Sequence, residues 1–253
     1  MKTDLQKLNY NNEYIAYIKQ NSKLNKHNIC IIFFSGFMSD LNSSKAQFIS
    51  EYCKENDIEY IRFDYFGHGN SSGDFEEGTI GKWLDNALHI IDNITDKKII
   101  IAGSSMGAWI MILAALERKD RIKALLGISS AADFTENLVW DYFNETQKAE
   151  IIKNKKILLP SDYCEHNYLI TLQLIEEGRN HLILDKEIDL DLPTMLIHSL
   201  DDNEVPYETS MKLAKQMKNK DLKLVLVKGE KHNMNSAKAY KIIEESLNEL
   251  INI

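Results

Sequence analysis

The stretch Ile99-Ile100-Ile101-Ala102-Gly103-Ser104-Ser105-Met106-Gly107-Ala108-Trp109-Ile110 decides how this chain is read. Its apolar, β-branched start predicts a strand, and the run from Ala108 to Glu117 predicts a helix. Between them lies Gly103-x-Ser105-x-Gly107. A G-x-S-x-G pentapeptide is common by chance. Between a strand and a helix it describes a strained turn, the nucleophile elbow, that lifts a serine hydroxyl above a parallel sheet. Each glycine is required because a side chain there would strike the neighbouring strand or helix. Ser105 is therefore the candidate nucleophile.

The same pattern recurs at Gly69-Asn70-Ser71-Ser72-Gly73. It follows the strand-like Ile61-Arg62-Phe63 only after several loop residues, and Asp74-Phe75-Glu76-Glu77-Gly78 after it is again a loop. Ser71 lacks the strand-turn-helix context and reads as part of a glycine-rich loop.

Outward from the elbow the chain alternates. Predicted strands are Glu13 to Lys19 (an edge strand or hairpin), Ile29 to Phe34, Ile58 to Phe63, Lys98 to Ala102, Ala124 to Ile128, Thr194 to His198 and Leu222 to Val227. The run Ile29 to Phe34 is continuously apolar, as a strand buried on both faces must be. Predicted helices are Ser43 to Glu55, Thr79 to Ile94 with Thr79 as N-cap, Ala108 to Glu117, Glu208 to Met217 and Ser236 to Leu250. This alternation predicts an α/β fold with a mostly parallel central sheet, helices on both faces and right-handed crossovers.

One interval breaks the rhythm. From Ser129 to Pro193 no strong strand is evident, but Asn137 to Phe143, Lys148 to Lys155 and Tyr168 to Gly178 are helix-like. The interval is too long for a plain loop. The expectation is a single domain over residues 1–253 with a helical cap insertion at about 131–192, lying over the C-terminal edge of the sheet.

Bulk properties narrow the function. A length of 253 residues gives room for a sizeable core, and 44% hydrophobic with 27% charged residues is ordinary for a globular protein. A formal net charge of −8 argues against nucleic acid or an anionic membrane as the main partner. No apolar run approaches a membrane span, so no stable membrane insertion is expected. The start, MKTDLQKLNYNNEY, has no apolar stretch and does not read as a secretory signal. Cys30, Cys53 and Cys164 are far apart and in no metal-ligand spacing, which points to a reduced, cytoplasmic compartment.

A serine needs a base to take its proton, and imidazole does this near neutral pH. An acid must then orient the histidine, and on this architecture the chain order is serine, acid, histidine. His232, in the loop Lys228-Gly229-Glu230-Lys231-His232-Asn233-Met234 before the last helix, has the right place. His198 ends a strand before the acid and reads as a supporting or packing residue. His68, in the glycine loop, would orient nearby backbone, and His27, His89, His166 and His181 read as surface or cap residues. The acid is Asp202, from the spacing Asp202-x-x-Val205-Pro206 after a late strand. Asp201 beside it and Asp133 after the preceding strand are the alternatives. The oxyanion of a tetrahedral intermediate needs backbone N–H donors. Met106, at a helix N-terminus, and Phe37, in the turn Ser35-Gly36-Phe37, are the candidates. No pair of histidines joins carboxylates at metal-ligand spacing, so no metal or other cofactor is expected.

Together these residues resemble the α/β-hydrolase superfamily. The stretches FSGFMSD (34–40), RFDYFGHGNSSGDFEEGTIGKW (62–83), GSSMGAWIM (103–111), HSLDDNEVPYETSM (198–211) and LLPSDYCEHNYLITLQLIEEGRNHLIL (158–184) are similar to a narrower group. That abhydrolase group contains mitochondrial palmitoyl-protein thioesterase, also described as an acyl-glucuronide esterase, and its bacterial relatives. The resemblance implies cleavage of carboxylic esters or thioesters through an acyl-enzyme, with catalytic roles on Ser105, Asp202 and His232. Two positions depart from the group, which often has glycine at Ala108 and Ser199. Neither touches the triad, and alanine is small enough to keep the helix start close to the sheet.

The insertion offers Phe134, Trp140, Tyr142, Phe143, Tyr163 and Tyr168, aromatic surface able to enclose an acyl chain or simply to pack the cap. Lys153, Lys155 and Lys156 read as a solvated face, the alternative being attraction of a carboxylate or phosphate on a substrate. The expected partner is a small-molecule ester or an acylated protein. An aminopeptidase or other amide hydrolase on the same fold is the alternative, although no acidic anchor for a substrate amine is evident. A non-catalytic binding protein on this fold would usually lack a triad member. A haloalkane dehalogenase would need aspartate at Ser105.

Overall fold

The computed structural model describes residues 4–24, 26–160 and 167–253. Its centre is an eight-stranded sheet: β1 (Gln6–Tyr10), β2 (Glu13–Gln20), β3 (Ile29–Phe34), β4 (Glu59–Phe63), β5 (Lys98–Ser104), β6 (Ile122–Ile128), β9 (Thr194–Ser199) and β10 (Leu222–Val227), in the spatial order β1-β2-β4-β3-β5-β6-β9-β10. The strands from β4 to β10 run parallel, while β1 and β2 form an antiparallel hairpin joined to β4. The run from Glu13 to Lys19 is thus the second strand of a hairpin, the alternative its sequence offered, and β1 is the edge. The hairpin turns at Asn11-Asn12, both in the left-handed region (φ 49° and 43°), a conformation that asparagine tolerates.

The apolar run of β3 shows why the sheet is covered on both sides. Cys30, Ile32 and Phe34 join a core with α2 (Ile80–Asn93) and α3 (Met106–Glu117). Ile29, Ile31 and Phe33 alternate into a second core with α1 (Ser44–Glu55) and α7 (Ala237–Asn252). Trp83 of α2 and Trp109 of α3 are fully buried. Burying each large apolar side chain is worth roughly 1.5–3 kcal/mol, so these two helices are held by packing. α3 is apolar on nearly all sides, because it lies between the sheet and further helical layers. Thr79 caps α2 by accepting the Lys82 N–H, as its sequence position predicts. Ser43 precedes α1 without a side-chain cap bond.

The interval between β6 and β9 contains a π-helical turn (Thr135–Trp140), α4 (Glu145–Asn154), β7 (Lys156–Leu159), β8 (Tyr168–Thr171) and α5 (Leu172–Gly178). β7 and β8 pair antiparallel as a small separate sheet. This corrects the expectation of helix alone, since Tyr168–Thr171 is a strand. Four-residue strands carry too little periodicity to be separated from a helix start. The segment is fastened to the core: Trp109 Nε1 donates to the His181 carbonyl at 3.1 Å, and the buried Asp133 carboxylate accepts the Ile183 and Leu184 N–H groups. α6 (Tyr207–Gln216) follows β9. Among the described residues, no helix is long and apolar enough to cross a membrane.

Candidate active site

Ser105 sits between β5 and α3 with φ 56° and ψ −122°, a strained conformation for a residue with a side chain. The neighbours show why the flanking residues are glycines. A Cβ on Gly103 would lie 2.5 Å from the Gly107 carbonyl oxygen, and one on Gly107 would lie 2.5 Å from the Ser35 carbonyl oxygen and overlap that of Phe34. The helix therefore begins at Met106, two residues before the predicted Ala108, and the strand runs on to Ser104.

Three loops from distant parts of the chain converge here. Ser105 Oγ lies 3.0 Å from His232 Nε2, placed to donate its proton there. His232 Nδ1 donates to Asp202 Oδ2 at 2.8 Å. Asp202 Oδ1 is occupied by the N–H groups of Glu204 (3.0 Å) and Val205 (2.9 Å), so the turn after β9 fixes the carboxylate. Asp201 points elsewhere, accepting the Gly229 N–H at 2.6 Å. Asp133 is consumed by the backbone of the 183–184 segment. Of the three candidate acids, Asp202 is the one that meets His232.

Burial alone would raise the Asp202 carboxyl. The hydrogen bonds from His198 and His232, with the attraction of His232, outweigh it and hold the carboxyl far below the ordinary carboxylate range. His198 is fully buried, its Nε2 shared between Asp202 Oδ2 (3.1 Å) and the Val205 carbonyl (3.0 Å). Its Nδ1 lies 2.6 Å from Ser210 Oγ, so the ring bridges Ser210 and Asp202.

The turn after β3 packs directly on the elbow, where a Cβ on Gly36 would stand 3.3 Å from Ser105 Cβ. Among the described residues, neither the Phe37 nor the Met106 N–H donates to a protein acceptor. His68 supports this turn: its Nε2 accepts the Met38 N–H at 3.2 Å while its Nδ1 donates to the Phe66 carbonyl at 3.1 Å. Burial lowers the His68 ring to about 4, which keeps it neutral and able to accept. Ser71 serves structure, donating to the Asp64 carbonyl (2.6 Å) and accepting the Ala16 N–H (2.8 Å).

Other supports lie far apart in sequence and gave no signal there. Ser129 Oγ donates to the His232 carbonyl (3.0 Å), Ser199 Oγ to the Glu230 carbonyl (2.5 Å) and Lys45 Nζ to the Asn233 carbonyl (2.5 Å). All three fasten the loop that carries His232. Ser199, where the resembled group often has glycine, thus adds a tie.

A cavity of about 550 Å³ opens beside Ser105 and His232. Phe37, Phe134, Leu138, Val139, Leu159 and Ile170 give it an apolar wall, much of it from the 129–193 segment. Phe134 and Tyr168 are the predicted aromatics that reach it; Trp140 and Phe143 pack against each other, Tyr142 is exposed, and Tyr163 lies outside the described residues. Lys153, Lys155 and Lys156 do not line the cavity, and Lys156 pairs with Glu76 at 2.6 Å. His89 bonds the Asn9 carbonyl, His181 pairs with Glu177, and His166 lies outside the described residues.

Comparison with known proteins agrees with this fold. Residues 46–250 match the prolyl oligopeptidase family. Bovine mitochondrial palmitoyl-protein thioesterase ABHD10 is 36% identical over 222 residues, covering 87% of this chain and 72% of that protein. The chain belongs to the α/β-hydrolase superfamily, in the group of ABHD10. The solved structure of mouse α/β-hydrolase domain-containing protein 10 superposes on this hydrolase with a TM-score of 0.90 and 31% identity, covering 98% of both chains. The solved structure of a protein from Agrobacterium vitis S4 does so with a TM-score of 0.93 and 28% identity, covering 99% of this chain and 98% of the other.

Proposed function

We propose that this α/β hydrolase is a serine esterase or thioesterase in which Ser105 is the nucleophile, His232 the general base and Asp202 the orienting acid. One observation carries the reading: the unbroken line from Ser105 Oγ through His232 to Asp202, with links of 3.0 and 2.8 Å. Ser105 attacks the acyl carbon while His232 Nε2 takes its proton. Phe37 and Met106 N–H groups receive the oxyanion, the latter aided by the α3 dipole. His232 then returns the proton to the leaving alcohol or thiol. Water, deprotonated by His232, resolves the acyl-enzyme.

In this reading residues 131–192 act as a cap on a single domain, and their apolar wall holds the acyl group. The relatives named palmitoyl-protein thioesterase support an acylated substrate, either a small ester or an acylated protein. For location, the reading from cysteine use is a reducing, cytoplasmic compartment. Cys30 and Cys53 are buried and free, which supports reduction, while Cys164 lies outside the described residues. The relatives are named mitochondrial, and fractionation of cells producing the chain decides between the two compartments.

A second reading, amide hydrolysis, has one observation in its favour. Glu204 lines the cavity, with a carboxylate oxygen 3.9 Å from His232 Nε2 and hydrogen-bonded by Tyr168, and so supplies an acidic group that sequence did not reveal.

Labelling with a fluorophosphonate probe tests the central assignment. Wild type and Ser71→Ala label, and Ser105→Ala does not; labelling of Ser105→Ala would reject it. Rates on acyl thioesters, p-nitrophenyl esters and aminoacyl p-nitroanilides then separate the two readings.

A further inference from the structure

Asp202 and Glu204 lie in one turn and stand at different nitrogens of the His232 ring. Asp202 Oδ2 meets Nδ1 at 2.8 Å, and Glu204 Oε2 lies 3.9 Å from Nε2. Glu204 is held in place from two sides. Its backbone N–H donates to Asp202 Oδ1 at 3.0 Å, and the Tyr168 hydroxyl lies 3.2 and 3.1 Å from its two carboxylate oxygens. Its side chain is 17% exposed and lines the cavity together with Tyr168, Ser105 and His232.

A gap of 3.9 Å is too long for a direct hydrogen bond between Glu204 and Nε2. One water molecule can touch both. At about 2.8 Å from each, its two bonds diverge by roughly 90°, near the angle between its own O–H bonds. The chemistry of the two groups fits this: a carboxylate accepts, and so does Nε2 while the ring proton sits on Nδ1. Before reaction Ser105 Oγ, at 3.0 Å, supplies the donor for Nε2. In the acyl-enzyme that oxygen carries the acyl group and has no proton to give, so Nε2 is open to water.

We propose that Glu204 is a further catalytic residue, which holds the hydrolytic water against His232 Nε2 in the deacylation step. The proposal rests on the catalytic reading above and deepens it. One O–H bond of the water breaks as Nε2 takes the proton, and the oxygen bonds to the acyl carbon. The second O–H stays intact and donates to Glu204, which gains no proton. Collapse of the intermediate breaks the bond to Ser105 Oγ, which recovers its proton from His232, and the acid leaves with the oxygen of the water. In the acylation step the alcohol or thiol of the substrate fills this place, so Glu204 acts in deacylation alone.

Pre-steady-state kinetics on p-nitrophenyl butyrate separates the two steps. The first release of p-nitrophenolate gives acylation. Decay of butyryl-Ser105, read by mass spectrometry of quenched samples, gives deacylation. Glu204→Gln keeps the shape and the backbone bond but weakens a charge-assisted acceptor. Its deacylation is expected to slow at least about tenfold, with acylation within about threefold of wild type, so that butyryl-Ser105 accumulates. Equal losses in both steps would make Glu204 an electrostatic support of the ring and overturn the proposal, as would any result without a selective loss in deacylation. Should Glu204→Gln fail to fold, Tyr168→Phe, which releases the carboxylate, decides in its place. Deacylation must then slow at least about threefold more than acylation, and an equal change overturns the water site. If wild type releases no p-nitrophenolate, the esterase reading fails and this role with it; if wild type turns over but neither variant is selective, only this role fails.

Discussion

His198 Nε2 reaches the same oxygen of Asp202 that receives His232 Nδ1, at 3.1 Å against 2.8 Å. Two imidazoles therefore share one carboxylate oxygen, and only one of them faces the cavity. The other, anchored by Ser210, keeps Asp202 ionised and aimed. Protonated Asp202 would lose its acceptor role toward both rings.

Replacing His198 by glutamine should therefore act through Asp202. We expect kcat to fall about tenfold to a hundredfold, the effect of one hydrogen bond to a charged group, with KM nearly unchanged. Steady-state kinetics on a p-nitrophenyl ester, with a melting curve to establish folding, checks this. A folded variant with wild-type kcat refutes the positioning role.

The two adjacent aspartates should separate sharply. Asp202→Asn is expected to lower kcat by about ten-thousandfold, because the amide favours the wrong imidazole tautomer. Asp201→Asn loses an acceptor for the Gly229 N–H and should cost less than about tenfold. Comparable losses in the two variants would contradict the assignment.

A pH dependence of stability follows from His68. Its ring is lowered from 6.5 to about 4 by burial, so folding favours the neutral form. The stabilisation is complete above pH 6.5 and is lost as pH falls through about 4, because the unfolded chain takes up a proton the native chain refuses. The full effect is on the order of 3 kcal/mol. His68→Gln should flatten the decline of Tm between pH 7 and 5; an unchanged slope would assign the decline to other groups.

Within the apolar wall, Val139→Trp should fill the cavity and move the acyl optimum toward shorter chains. Rates across a p-nitrophenyl ester series from acetate to palmitate measure it. A uniform change at every length would mean the wall does not hold the acyl group.

Most of the sheet was legible because a strand buried on both faces leaves a plain record, as Ile29 to Phe34 does. The elbow was legible because glycine is forced at Gly103 and Gly107 by backbone closeness, a constraint of local sequence. The pairing of Tyr168–Thr171 with Lys156–Leu159 was not, since short strands are defined by partners and not by period. Nor were Lys45 and Glu204, whose roles depend on which loops the fold brings to one cavity. Turn spacing favoured Asp202 but left Asp201 beside it as an alternative, and the geometry separates them: Val205 and Glu204 N–H groups hold Asp202 Oδ1 in place, while Asp201 accepts the Gly229 N–H.

The strands on either side of the long insertion are hydrogen-bonded neighbours, with Leu125 of β6 opposite Thr194 of β9. The chain leaves the sheet after Ile128, passes through residues 129–193, and re-enters at Thr194, one strand over and level with Leu125, three residues back along β6. The excursion is a crossover between neighbouring parallel strands. Beyond Ser129 and Ala131, which bond the His232 and Ser105 carbonyls, a different excursion could join the same two strands while β5, the turn after β9 and the loop after β10 still carry the line from Ser105 to Asp202. Under the proposed role of the cap, bond cleavage and the choice of acyl group are written in separable parts of one chain, and a change in diet needs no change in the blade.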